Sequence, residues 1–478
     1  MEDKRNRTDI LFIKTAPDEI VQGTWYRMPL LGIGYLAAWL REKKYTVAIV
    51  DAMFDKLTRD ECVERILLHN PRMLCITAMT HEINRAAELA EKLETRGWQG
   101  WVVVGGPHCS ALPARTLEEY PVFDFAITGE GERTLSELAG YLLRKKIPIE
   151  QANGRVDEVI PEVSERLKVI KGLVWRNAGN SYVNEPRPWI KDLDRLPFPA
   201  WDLYGRAELY QIYASRGCPF QCVFCMRVLG EQVRFRSPEK VVDEFEWVVN
   251  TFHPKRIDFS DETFTLKRGW TESICDELIR RGLHKRMPWF ANGRVNTVDV
   301  PLLRKMKEAG CVRLGFGIES GNPEILKAAQ KATTIEQIEK AIAACKEVGL
   351  EMEAFYILGF PGETKETARD TIRLAARLNT TTAAFGIMVP YPGTRIAEMA
   401  EKGEGGYRML SHDWSDFDKH LGNAMELETL SRRELESLQA RAYLWFYLRN
   451  FRIRDLAGFA WEKRKAAVKL GRKLLGMK

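Results

Sequence analysis

Three cysteines crowd into one short stretch, Arg216-Gly-Cys218-Pro-Phe-Gln-Cys222-Val-Phe-Cys225, with C-x3-C-x2-C spacing. Thiolates this close, in a chain whose other six cysteines stand singly, are metal ligands rather than structural bridges. A structural zinc ion takes four ligands, and no nearby Cys or His supplies an obvious fourth; the closest downstream are His253 and Cys275. A [4Fe–4S] cluster also normally takes four thiolates. Three leave one iron open, and an open metal position is a place for reaction. The single cysteines, Cys62, Cys75, Cys109, Cys275, Cys311 and Cys345, read as small buried hydrophobes.

Glycines and carboxylates gather at the ends of apolar runs. In the first part of the chain these are Thr77-Ala78-Met79 with His81 close behind, Val104-Gly105-Gly106-Pro107-His108, and Thr128-Gly129-Glu130-Gly131-Glu132. Glycine at a strand end lets a ligand approach the backbone, and a following helix N-terminus favours acidic groups. A dinucleotide site would need G-x-G-x-x-G after the first strand, and Thr15 to Thr24 lacks it. Downstream come Ser260-Asp261-Glu262, Asn292-Gly293-Arg294, Gly317-Ile-Glu319-Ser320-Gly321, Gly359-Phe-Pro361-Gly362-Glu363 and Pro390-Tyr-Pro392-Gly393. Each alone reads as a turn or a helix cap. Together they end successive strands of one series.

The elements that must position them form two alternating series. Apolar runs Ile10 to Ile13, Val47 to Val50, Met73 to Ile76, Trp101 to Val104 and Phe123 to Thr128 alternate with helical patterns. This predicts a doubly wound, Rossmann-like α/β domain over residues 1–146 with a parallel sheet. Residues 147–204, with Asn153-Gly154, Gly179-Asn180, Pro186, Pro188, Pro197 and Pro199, read as a connector. A second series has strands at Ile212 to Ala214, Ile257 to Phe259, Trp289 to Ala291, Val312 to Phe316, Ala354 to Leu358 and Phe385 to Val389. It predicts a partial (β/α)6 barrel over 205–400, with ligands at the strands' C-terminal ends. Residues 401–478 read as a helical region opened by a Ser431-x-x-Glu434 capping box.

Composition narrows the classes. The 478 residues are 45% hydrophobic and 29% charged, as in soluble globular proteins. No stretch approaches twenty apolar residues, Met1 to Asp9 is charged rather than signal-like, and the scattered cysteines do not make a disulfide framework. The expected location is therefore cytoplasmic. The net charge is +6, yet Arg449 to Lys478 alone holds ten Lys or Arg against two acids, leaving −2 for the rest. A nucleic-acid binder would not confine its charge to one tail. The tail's apolar residues, including Leu456, Phe459, Leu470 and Leu474, fall near one helical face, a pattern that predicts peripheral contact with an anionic membrane.

The cysteine triplet on the loop after the first barrel strand resembles the radical S-adenosylmethionine (SAM) enzymes over about Tyr210 to Arg395. Set beside the first domain, the whole resembles the cobalamin (B12)-dependent class of that superfamily. The resemblance implies a [4Fe–4S] cluster on Cys218, Cys222 and Cys225, with the open iron binding SAM. It implies SAM contacts from Phe224, from Ser260, Asp261 and Glu262, from Arg294, from Glu319 and Ser320, and from Gly359 and Pro390. For cobalamin it implies Thr77 and Met79, the pair Gly105 and Gly106, and Gly129, Glu130 and Gly131. The Asp-x-His-x-x-Gly element of many cobalamin proteins is absent, so that lower-face ligand is missing; His81, at the sheet edge, is the candidate to face cobalt. No catalytic side chain is assigned.

The activity so implied is C-methyl transfer to an unactivated carbon. A deoxyadenosyl radical would abstract hydrogen, and methylcobalamin would deliver the methyl group. The partners implied are a small-molecule substrate and an external flavodoxin- or ferredoxin-like electron donor, with no nucleic acid. The rival with both cofactors is oxidation, cyclisation or ring contraction without methyl transfer. A tRNA methylthiotransferase would need an N-terminal three-cysteine domain, which Cys62, Cys75 and Cys109 do not form. A non-catalytic cobalamin carrier would have no use for the three thiolates.

Overall fold

The structure, a computed structural model, describes residues 7–15, 27–147, 161–418 and 423–462. Five parallel strands open the chain: β1 (Ile10–Lys14), β2 (Val47–Asp51), β3 (Met73–Thr77), β4 (Trp101–Gly105) and β5 (Phe125–Ile127). Their order is β2-β1-β3-β4-β5. All five residues of β1 are buried, as a strand covered by helices on both faces requires. The strand order reverses between β1 and β3, and ligands of doubly wound sheets collect at the C-terminal side of such a switch point.

The segment expected to be only a connector adds to this sheet. β6 (Leu173–Asn177) and β7 (Asn180–Val183) form a hairpin across Ala178-Gly179, both at positive φ, and β6 pairs antiparallel with β5. Leu173, Val174 and Trp175 are fully buried there. Burying side chains of this size is worth roughly 1.5–3 kcal/mol each, a strong bias toward docking the run on the sheet.

The second sheet is entirely parallel. β8 (Leu209–Ile212) begins it, slightly earlier than the sequence pattern indicates. A small antiparallel ribbon, β9 (Ser215–Arg216) with β10 (Arg234–Phe235), brackets the cysteine loop. Then follow β11 (Arg256–Phe259), β12 (Trp289–Gly293), β13 (Cys311–Glu319), β14 (Glu351–Leu358) and β15 (Thr382–Ile387). These and β8 lie side by side in chain order, the open six-unit barrel expected from the pattern. The C-terminal region is not purely helical: β16 (Tyr407–Met409) and β17 (Met425–Leu427) pair as a ribbon before the helices Arg432–Leu448 and Ile453–Glu462. Both arms of the Ser431–Glu434 capping box are present.

The two sheets share their cores. Leu31, Tyr35 and Phe54 of the first domain belong to the barrel's apolar cluster, whereas Val389, Trp414 and Phe417 belong to the first domain's. Among the described residues, no helix is long and apolar enough to cross a membrane. The basic tail at 463–478, on which the expectation of membrane contact mainly rests, lies outside the described residues.

Candidate functional site

The cysteine loop is held at both ends by backbone bonds. Cys218 N donates to Gly230 O at 3.0 Å, and Cys225 N donates to Cys222 O at 3.1 Å. Cys222 is buried, Cys218 is half-buried and Cys225 is the most open. The Cys225 thiol is pushed up to about 11, first by desolvation and then by the Cys222 and Cys218 thiols and Glu262. Desolvation also raises Cys218. Thiols that raise one another's pKa need a cationic centre to become thiolates, which is what an iron cluster supplies. The donor set fits a cluster.

Two cations stand beside the thiols. The Arg294 guanidinium lies 3.6 Å from the Phe220 ring centroid, and its Nη1 is 3.9 Å from Cys222 Sγ. Its Nη2 donates to Lys331 O. Lys331 Nζ donates to Glu319 Oε1 at 2.8 Å in a buried pair and lies 5.9 Å from the Phe224 ring. Gly317 makes room for that pair, because a Cβ there would fall 2.3 Å from Glu319 Oε1 and 2.7 Å from Lys331 Nζ. Glu319 itself has φ +67, and the pairing of β13 with β14 shifts register at this point. Glu319 therefore presents a carboxylate already shared with Lys331. Lys331 carries no motif in the sequence, and only folding brings it to the strand end.

Glu262 is different. Its Oε2 is buried without a hydrogen-bond partner and desolvation raises its pKa, which makes it an acceptor that a nearby cationic donor would stabilise. Other residues expected at SAM are engaged elsewhere. Asp261 accepts from Ser215 Oγ and, at 3.1 Å, from Ala214 N; it braces the strand leading to the cysteines. Ser260 lies between Gln211 Nε2 at 2.7 Å and Asp258 Oδ2 at 2.8 Å. Ser320 is fully buried against Thr371, 3.1 Å away. Gly359 N donates to Glu363, so its loop is capped internally. Phe224 packs edge-on to Phe360 with centroids 5.5 Å apart, and Pro390 is buried just beyond β15.

At the C-terminal edge of the first sheet, Lys14 and Glu82 form a buried ion pair, and Glu82 Oε2 accepts from Met79 N at 2.9 Å. This braces the turn carrying Thr77, Met79 and His81. Met79 is exposed, while His81 Nδ1 is buried with no partner. Burial lowers the His81 pKa despite Glu82, so the ring is neutral at neutral pH. Thr15 Oγ1, just past β1, is likewise buried and unpartnered. Gly105 ends β4, and Gly106 follows with φ +107, where a Cβ would lie 2.7 Å from Ala78 O; only glycine fits. Unpartnered polar atoms on both sides of the switch point suit a large polar cofactor such as cobalamin. Gly129 and Gly131 flank a carboxylate that is engaged elsewhere, since Glu130 accepts from Arg216, Arg234 and Ile190 N rather than facing that edge unpaired.

Residues 212–375 match the radical SAM superfamily, and residues 24–139 match the B12 binding domain. An uncharacterised methyltransferase of Pyrococcus horikoshii is 34% identical over 430 residues, covering 88% of each chain. The chain belongs to the cobalamin-dependent radical SAM family. It is an enzyme that uses a [4Fe–4S] cluster, SAM and cobalamin. The anaerobic magnesium-protoporphyrin IX monomethyl ester cyclase of Rubrivivax gelatinosus is 30% identical over 444 residues, covering 90% of this chain and 75% of that one. The fold is similar to that of TsrM, a radical SAM methyltransferase of Kitasatospora setae solved with tryptophan and a SAM analogue. The TM-score is 0.68 at 19% identity, over 92% of this chain and 89% of that one.

Proposed function

We propose that the enzyme is a C-methyltransferase that replaces hydrogen by methyl on an unactivated carbon of a small molecule. The observation that carries this reading is the buried junction between the cysteine loop and the first sheet, Arg216 with Glu130 and Glu132. A methyl donor on one domain serves a radical formed on the other only if the two are held in register. Support also comes from the relatives, since identity to the methyltransferase (34%) exceeds that to the cyclase (30%).

When bound, the cluster and SAM supply hydrogen abstraction and cobalamin supplies methyl transfer. Cys218, Cys222 and Cys225 would hold the cluster, and Glu262 would accept a bond from the SAM ammonium. The Glu319–Lys331 pair would orient the rest of that ligand. Thr77, Met79, Gly105 and Gly106 would line the cobalamin edge, with the neutral His81 ring facing it. An external low-potential electron carrier would feed the cluster.

Nucleoside stoichiometry tests the reaction type. Methyl transfer by this route consumes two SAM per turnover, so 5′-deoxyadenosine and S-adenosylhomocysteine should accumulate equally with substrate present. Substrate-dependent deoxyadenosine without matching S-adenosylhomocysteine would instead establish a cyclase or oxidase, the second reading that the cyclase relative favours.

A further inference from the structure

The Gly129-Glu130-Gly131-Glu132 run stands at the C-terminal end of β5 and the start of the helix Gly131–Leu142. Its two carboxylates point across the domain boundary. Arg216 Nη1 donates to Glu130 Oε1 at 2.8 Å and to Glu132 Oε1 at 2.9 Å, and all three side chains are about 5% exposed. Arg216 lies two residues before Cys218, in β9. Opposite it in the ribbon, Arg234 Nη1 donates to Glu130 Oε1 at 2.8 Å and to Ile190 O at 2.9 Å. The Arg216 guanidinium also lies 5.0 Å from the Tyr35 ring, on a first-domain helix, and 5.8 Å from Tyr213, just past β8.

A buried ion network of this kind is a costly way to glue two surfaces, because apolar side chains of equal volume pack as well without desolvating charge. What it provides that apolar packing does not is direction. Both carboxylates are held by one nitrogen, Nη1, whose two N–H bonds lie fixed in the guanidinium plane, so the groups on either side are fixed in angle as well as distance. Both anchors are covalently short: one residue from Glu130 to Gly129 at the sheet edge, two from Arg216 to Cys218.

We propose that Arg216, Glu130 and Glu132 form a positioning clasp. It sets the cysteine loop in register with the cobalamin-binding edge, so that a methyl group can pass between the two domains. The proposal deepens the methyltransferase reading and rests on it for the identity of what passes.

Two activities of the reconstituted enzyme separate the clasp from mere folding, and neither needs the unidentified substrate. With SAM and dithionite, one-electron cleavage gives methionine and 5′-deoxyadenosine, with the abstracted hydrogen drawn from solvent or protein; only the barrel is needed. With SAM, hydroxocobalamin and titanium(III) citrate, the methyl–sulfur bond breaks and the methyl is captured by the electron pair of reduced cobalamin. S-adenosylhomocysteine leaves, and this step needs both domains. The variants are Glu132→Gln, which leaves Glu130 in place, and Arg216→Lys, which keeps the charge but not the planar, fixed pair of N–H donors.

Deoxyadenosine formation should stay within about twofold of the parent, while S-adenosylhomocysteine formation falls at least about tenfold, since misplacement by an ångström can cost about a hundredfold. Hydrogen exchange of the protein before cofactor loading should quicken at 128–134 and 217–230 alone. A parallel fall in both nucleosides would make the network a support for the cluster only and overturn the proposal, as would no change in either. If the unaltered enzyme itself yields no S-adenosylhomocysteine, the methyltransferase reading fails. The exchange pattern then decides whether the clasp couples the two segments, and unchanged exchange rejects it.

Discussion

Cys218, Cys222 and Cys225 share a loop but not a setting. Cys222 lies under the Arg294 guanidinium, whereas Cys225 is open and Cys218 sits where the loop leaves its ribbon. Losing any one thiol should remove a cluster ligand, so each Cys→Ala change should lower SAM cleavage under dithionite by at least about a hundredfold, the upper end of what disturbing even a metal site's outer-shell partners costs. Cys275→Ala removes a fully buried thiol from a barrel helix and should cost some stability while leaving the cleavage rate of the folded enzyme intact. Deoxyadenosine assays on the four variants decide this, and cleavage retained by the triple variant would refute the cluster assignment. The three thiols were legible because their spacing is local. Lys331 was not, since its tie to Glu319 crosses a helix and two turns. Glu130 and Glu132 were visible as a motif, but nothing in the sequence names Arg216 as their partner.

At the scale of elements, strand ends do the positioning. The turn after β14 is capped from within: Glu363 is fully buried and accepts from the N–H groups of Gly359 and Phe360, while Tyr407 donates to Gly359 O at 2.9 Å. Burial raises the Glu363 carboxyl from 4.5 to about 7, against the pull of those two amides. The native state therefore holds this proton more tightly than the unfolded chain does. Its contribution to stability is full below the unfolded value and is lost as pH rises through about 7. Gln at this position mimics the protonated acid at every pH. Glu363→Gln should thus gain on the parent by up to about 3 kcal/mol as pH rises from about 4.5 to about 7. Denaturant midpoints across that range check it, and parallel curves would contradict it. Alternation of apolar runs and helices located the barrel strands closely, because each strand's pattern is its own. The docking of β6 on β5 escaped, because pairing depends on a partner some fifty residues away, and hairpin signals reveal the turn but not the sheet that receives it.

The described residues form two sheets joined by shared cores and a buried ionic clasp. The two-domain order was legible from the alternation of elements. Their mutual fit was not, since Tyr35 and Trp414 look like ordinary core residues of their own domains until folding places each in the other's cluster. In the methyltransferase reading, this fit serves to move a methyl group onto carbon. Its most direct test is anaerobic turnover with SAM carrying a trideuterated methyl group, offered with candidate tetrapyrrole, lipid and phosphonate acceptors and followed by mass spectrometry of the products. The expected product is an acceptor that has gained the intact trideuteromethyl group in place of one hydrogen, with the label absent when Cys222 is replaced by Ala. An acceptor that is consumed together with deoxyadenosine formation yet gains no deuterium would contradict that reading.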